Sequence, residues 1–96
     1  MFVLITYDVE TITPEGSKRL RKVAKACQDY GIRVQNSVFE CVVDSAQYVL
    51  LKNRLKGIID AEHDNVRFYS MGDNWERKIE SFGKDTGTHV TDCLIV

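Results

Sequence analysis

Apolar positions recur along this chain with two periods, and the switches between them divide it into elements. Phe2 to Val9 is a tight run of β-branched and aromatic types. It predicts a strand with Phe2, Leu4, Thr6 and Asp8 on one face and Val3, Ile5, Tyr7 and Val9 on the other. Thr13-Pro14-Glu15 then reads as a helix start: a capping hydroxyl, a proline at the first helical position and an acid in the first turn. From there the spacing lengthens to threes and fours. Leu20, Val23, Ala24, Cys27 and Tyr30 form the apolar stripe of a helix running to about Tyr30, where Gly31 is expected to stop it.

The stretch Ile32 to Asp44, IRVQNSVFECVVD, returns to β-forming types. Its length suits two short strands broken near Asn36-Ser37 better than one bent strand. Ser45 is expected to cap a second helix reaching about Asp60, with Tyr48, Leu51, Leu55, Ile58 and Ile59 buried. NVRFYSM, from Asn65 to Met71, predicts another strand, closed by Gly72-Asp73-Asn74. The pattern in WERKIESFG is divided. Trp75, Ile79 and Phe82 fit a helical turn or two, yet the span also alternates from Lys78 onward. Gly83 to Gly87 is a polar loop, and Val90 to Val96 reads as a final apolar strand.

The order is β-α-β-β-α-β with an additional C-terminal strand. Two helical crossovers covering one face of a sheet predict an α+β fold of the ferredoxin-like kind, as a single domain over residues 1–96. Such a sheet leaves its second face bare, and a short apolar terminal strand often pairs with a neighbouring chain. A homodimer in which sheet faces meet is therefore expected, with residues 83–96 at the interface.

Composition adds limits. With 96 residues the chain can bury roughly two-thirds of its unfolded surface, enough for a core without staples. Cys27, Cys41 and Cys93 are odd in number, widely spaced and free of any C-x-x-C pair. They read as buried apolar residues of a reducing compartment, not as a disulfide frame or zinc site. No signal-peptide pattern opens the chain and no apolar run is long enough to span a bilayer, so a cytoplasmic protein with no membrane partner is expected.

A net charge of −1 argues against a polyanionic partner, but its distribution reverses the argument. Lys18, Arg19, Arg21, Lys22, Lys25 and Arg33 crowd one stretch against Asp29 alone, while acids collect at Asp60, Glu62, Asp64 and from Asp73 onward. Steps of about 100° put Lys18, Arg21, Lys22 and Lys25 within roughly a third of the helix circumference, with Arg19 to one side. Such a face is either merely solvated or a track for phosphates, which arginine forks and lysine ammoniums match. Nothing in the chain suggests base reading. Binding would be to backbone and shape, and steeply salt-dependent.

Asp8 ends the most apolar segment. It can simply start the loop 9–13 by accepting from backbone amides. The dimer offers a second role: two copies of Asp8 meeting near a two-fold axis would have to share a proton or a cation. A hard ion such as Mg²⁺, with Mn²⁺ as the alternative, suits carboxylates and carries water that can attack a phosphodiester. Tyr7, beside Asp8, is a packing residue or a catalytic one. Ser37 is a phosphate-bonding hydroxyl or a strand breaker. Val38 and Phe39 read as core, and His63 and His89 as isolated surface histidines. No Gly-rich phosphate loop, Ser-His-Asp or Cys-His constellation is present.

Strand-Tyr7-Asp8-Val9, a basic first helix and the run GIRVQNSVFE from Gly31 to Glu40 together resemble the Cas-two family, the small nuclease-like CRISPR-associated subunit of spacer acquisition. NVRFYSMGDNW and the apolar last strand look like the branch that accompanies subtype I-C systems. The resemblance implies a homodimer of ferredoxin-like folds with one metal-site aspartate per subunit, at Asp8. It implies backbone contacts from Arg33 and from first-helix residues among Arg19, Arg21 and Lys22, and an active cleft near Ser37 and Phe39. It further implies partners: the Cas-one integrase, whose two dimers the Cas-two dimer bridges, and a protospacer DNA duplex. Members are credited variously with cutting single-stranded RNA, cutting double-stranded DNA, or cutting nothing. Three functions follow as expectations: a metal-dependent endonuclease in CRISPR adaptation, a non-catalytic DNA-binding scaffold, and a small-ligand regulatory module, the last having no need of a basic helix.

Overall fold

The computed structural model describes residues 1–71 and 77–84. Their elements are β1 (Phe2–Asp8), α1 (Pro14–Gln28), β2 (Gly31–Gln35), β3 (Val38–Val42), α2 (Ser45–Ile58), β4 (Asn65–Met71) and β5 (Arg77–Gly83). The five strands form one sheet in the order β2-β3-β1-β4-β5, with every pairing antiparallel. This is the expected ferredoxin-like α+β sandwich, with β1 at the sheet centre.

Strand alternation separates the two faces. Val3, Ile5 and Tyr7 of β1, Phe39 and Cys41 of β3, and Val66 and Phe68 of β4 are buried with Val23, Ala26 and Cys27 of α1 and Tyr48, Leu51 and Leu55 of α2. The sequence stripe for α1 lacked Ala26, whose methyl group is fully buried. The opposite face is open. One row across it runs Ile32, Glu40, Leu4, Tyr69 and Ile79, and the next includes Val42 and Phe2. Phe2, Ile32 and Val42 are 40%, 73% and 77% exposed, so apolar surface there is not covered by the described residues.

The two-strand reading of residues 32–44 holds, with the break at Asn36-Ser37. Thr13 caps α1 as expected, its Oγ1 accepting from the Gly16 amide at 3.1 Å. Other boundaries differ. Asp44, not Ser45, caps α2: its carboxylate accepts from the Gln47 amide at 2.7 Å while the Gln47 side chain accepts from the Asp44 amide at 2.9 Å. A cap at Ser45 would place Tyr48 at N3 and could not form this reciprocal capping box. α2 ends at Ile58 and α1 at Gln28, with Asp29 as its cap. Gly31 does not stop the helix but opens β2. Its missing side chain is needed for close approach, because a Cβ there would run into the Glu40 carbonyl oxygen and the Cys41 sulfur. The divided segment resolves as strand over Arg77–Gly83. It extends the sheet beyond β4, and Gly83 closes it at φ 103°, where glycine alone is unstrained. The expected strand Val90–Val96 and the turn at Gly72 lie outside the described residues. Among the described residues no helix is long and apolar enough to cross a membrane.

Candidate functional site

Asp8 is the last residue of the central strand, exposed, on the open sheet face, paired in register with Asn65. No hydrogen bond or ion pair from the described residues engages its carboxylate. The backbone around it is held firmly. The Tyr7 amide donates to the Ser37 carbonyl at 3.1 Å, which fastens the β2–β3 turn against the strand end. The Asn65 side chain donates to Ser81 Oγ and to the carbonyls of Phe82 and Lys84 at 3.0–3.3 Å, which fastens β5 on the other side.

Tyr7 itself points the other way, into the helix-covered core. Its ring stacks on Phe39 with centroids 6.1 Å apart, and its hydroxyl donates to the Asn36 carbonyl at 3.3 Å. Burial pushes its phenol above the usual value, with Arg33 opposing. Arg33 is exposed, and its guanidinium lies 5.2 Å from the Phe39 ring centroid, a cation–π contact. Tyr7, Phe39 and Arg33 thus form a stack on the helix side of the sheet, across it from Asp8. Ser37 is half-buried in the turn between β2 and β3, and its carbonyl is the group that meets β1.

The loop after Asp8 is anchored by a residue that the sequence pattern did not single out. Asp64 is fully buried. It accepts from the amides of Glu10 at 3.1 Å and Asp60 at 2.9 Å, and from Arg19 Nε at 2.7 Å and a second Arg19 nitrogen at 3.3 Å. Burial alone would raise its pKa; the Arg19 bonds and the two amides outweigh that and hold the carboxyl below the usual range. Arg19 therefore turns away from the other basic residues and ties α1 to the α2–β4 connection.

Those other residues do come together. Lys18, Arg21, Lys22 and Lys25 line a shallow groove of about 520 Å³ between α1 and α2, with Arg54 and Ile58 also lining it. Among the described residues Lys18, Arg21 and Lys22 have no carboxylate partner. α2 carries its own basic residues, Lys52, Arg54 and Lys56, but nothing local assigns Arg54 to the face of α1; only the packing of the helices brings it there.

Among the described residues one group of three or more carboxylate and imidazole side chains is close enough to share a cation: Asp60, Glu62 and His63, after α2. Asp8 belongs to no such group, so the described residues offer a single carboxylate there.

The sequence model described as CRISPR associated protein Cas2 matches residues 1–79. The chain belongs to the Cas2 family. A curated relative from Halalkalibacterium halodurans, named CRISPR-associated endonuclease Cas2, is 56% identical over 95 residues, covering 99% of each chain. Another from Rhodospirillum rubrum, named CRISPR-associated endoribonuclease Cas2 3, is 58% identical over 94 residues, covering 98% of this chain and 99% of that one. The crystal structure of Streptococcus pyogenes Cas2 at pH 6.5 superposes with a TM-score of 0.70 and 63% identity, over 78% of this chain and 90% of that one. Family membership and fold agree with the resemblance carried by YDV and RVQNSVFE.

Proposed function

We propose that this Cas2 chain acts in CRISPR adaptation as a homodimeric, Mg²⁺-dependent endonuclease that hydrolyses phosphodiester bonds of double-stranded DNA or single-stranded RNA. The names of two of its relatives, one an endonuclease and the other an endoribonuclease, support the reaction class. The observation that carries the reading is Asp8: an exposed carboxylate, unengaged by the described residues, at the end of the central strand and on the sheet face opposite the helices. A hard oxygen donor fits Mg²⁺ or Mn²⁺, and one donor per chain fits a site completed by the partner's equivalent carboxylate. Asp8 of each copy would hold the ion, which when bound supplies an activated water and offsets charge on the phosphate. The remaining work belongs to the chain: Lys18, Arg21, Lys22, Lys25 and Arg33 bind the nucleic-acid backbone and set its register. The tract NVRFYSMGDNW supports placing the chain with the subtype I-C branch.

A second reading is favoured by one observation. Within a chain the cationic groove lies on the outer side of the helices, whereas Asp8 lies on the opposite face of the sheet. A backbone held in the groove is not thereby held at Asp8. That separation supports a scaffold that grips protospacer DNA between Cas-one integrase dimers without cutting it.

The test is cleavage of duplex DNA and single-stranded RNA with Mg²⁺, Mn²⁺ or EDTA, wild type beside Asp8→Asn, with duplex binding followed in parallel. The nuclease reading expects a metal-dependent product that Asp8→Asn reduces by at least the roughly 10–100-fold that losing even an outer-shell partner of a metal costs. Binding should be retained. Equal cleavage by both proteins would sink the Asp8 mechanism. No cleavage by either, with salt-sensitive binding intact, would leave the scaffold.

A further inference from the structure

Two of the cations lining the groove are paired with an anion beside it. Asp29, the C-cap of α1, accepts from Lys25 Nζ at 2.9 Å and from Arg54 Nη1 at 2.8 Å. It joins the two helices at one end of the groove and ties down two of its five cations. The bonds from Lys25 and then Arg54 hold its carboxyl below the usual range, so it stays charged at neutral pH. Exposed pairs of this kind contribute little to stability, and they exchange readily for other partners. A phosphodiester entering the groove from the Lys18–Lys22 end meets first cations with no carboxylate partner among the described residues, and then a pair already occupied by a carboxylate.

We propose that Asp29 is a built-in competitor for nucleic-acid phosphate, which withholds Lys25 and Arg54 from the backbone and so limits the grip of the groove on a duplex. The inference rests on the reading of the groove as a phosphate track and adds two things to it: Arg54 as a phosphate ligand, and Asp29 as the group that sets the strength of binding. The design has a physical use. Each phosphate neutralised adds about 0.9 to the log–log salt slope of binding. A protein that must later release its duplex gains from keeping two such contacts conditional.

The experiment is duplex binding over a KCl series by wild type, Asp29→Asn, Lys25→Gln/Arg54→Gln, and the triple variant combining all three, with Asp29→Ala as a second neutralising change. Competition expects Asp29→Asn to bind several-fold tighter, with a salt slope steeper by up to about 2, since two cations are freed. It expects that gain to vanish in the triple variant, because nothing remains to release. If Asp29→Asn gains as much when Lys25 and Arg54 are gone, the effect is only a change of overall field and the proposal is overturned. If neither Asp29 variant changes affinity or slope while Lys22→Gln and Arg21→Gln weaken binding, the track stands and the competitor falls. If Lys22→Gln and Arg21→Gln also leave binding unchanged, the groove is no phosphate track and both readings fail together.

Discussion

Replacing Asp64 by asparagine should be among the most damaging single changes in this protein, although it barely changes the side chain's size and shape. Two carboxylate oxygens accept four hydrogen bonds. Oδ1 takes the Glu10 amide and one Arg19 nitrogen; Oδ2 takes the Asp60 amide and Arg19 Nε. Asparagine keeps one oxygen and puts an NH₂ donor in place of the other. Whichever way it turns, two donors face a donor. A hydrogen bond to a charged acceptor is worth about 1.5–3 kcal/mol net, and a buried pair broken from one side costs about 3–5. Arg19 is 20% exposed and can recover some hydration, so the lower end applies, about 3 kcal/mol. With a urea m-value of about 1–3 kcal/mol/M, the unfolding midpoint should fall by about 1–3 M at neutral pH and fixed protein concentration. A pH series gives the sign. The folded pKa of Asp64 is depressed, so its contribution is present above the unfolded value near 4 and is lost as pH falls through the folded one. The gap between wild type and Asp64→Asn should therefore narrow in acid. A neutral-pH gap below about 0.5 kcal/mol, or a gap constant with pH, would refute the account.

Two further outcomes follow from packing. Gly31→Ala drives a methyl group against the Glu40 carbonyl and the Cys41 sulfur, so the β2–β3 ladder must shift; an overpacking cost of about 1–3 kcal/mol should lower the thermal midpoint, and an unchanged midpoint would mean the strands part freely. Burial pushes the Cys27 thiol up to about 12 and the Cys41 thiol up to about 11. Both should resist iodoacetamide at neutral pH in the native protein and react on unfolding in urea, read residue by residue by peptide mass spectrometry; rapid native labelling of either would contradict their placement in the core.

Where one element decides its own structure, the sequence was a sufficient guide. The alternation of β1, the Thr13-Pro14 start of α1 and the break at Asn36-Ser37 are local signals, and each appears where expected. The departures have longer reach. Asp44 and Ser45 are both good caps side by side, and the choice falls to Asp44 because Gln47 stands three residues on. WERKIESFG carries two periods, and over Arg77–Gly83 strand wins through partners far away: the β4 ladder, Tyr48 donating to Glu80 at 2.7 Å and Lys56 over the Phe82 ring. Asp64 looked like one acid among several because its value lies in Arg19, 45 residues earlier. Arg54 reaches the groove only through helix packing.

The candidate site divides along the same line between rigid and adjustable parts. Asp8 ends a strand laddered on both sides, and within two residues the chain is pinned again by Asp64 at Glu10. A carboxylate so placed can be positioned closely, as a shared cation at a two-fold axis would demand, because rigid elements hold geometry better than loops. The groove cations stand on long side chains along helices, where position is loose and charge alone is conserved as the head group swings. That suits recognition of a backbone by shape and charge, and it suits competition by Asp29, since mobile cations can change partners without moving the helices. On the proposed reading, a chain built this way could lose cleavage without losing grip, or change its grip without disturbing Asp8, because the groove on the helices and the end of β1 share no side chain.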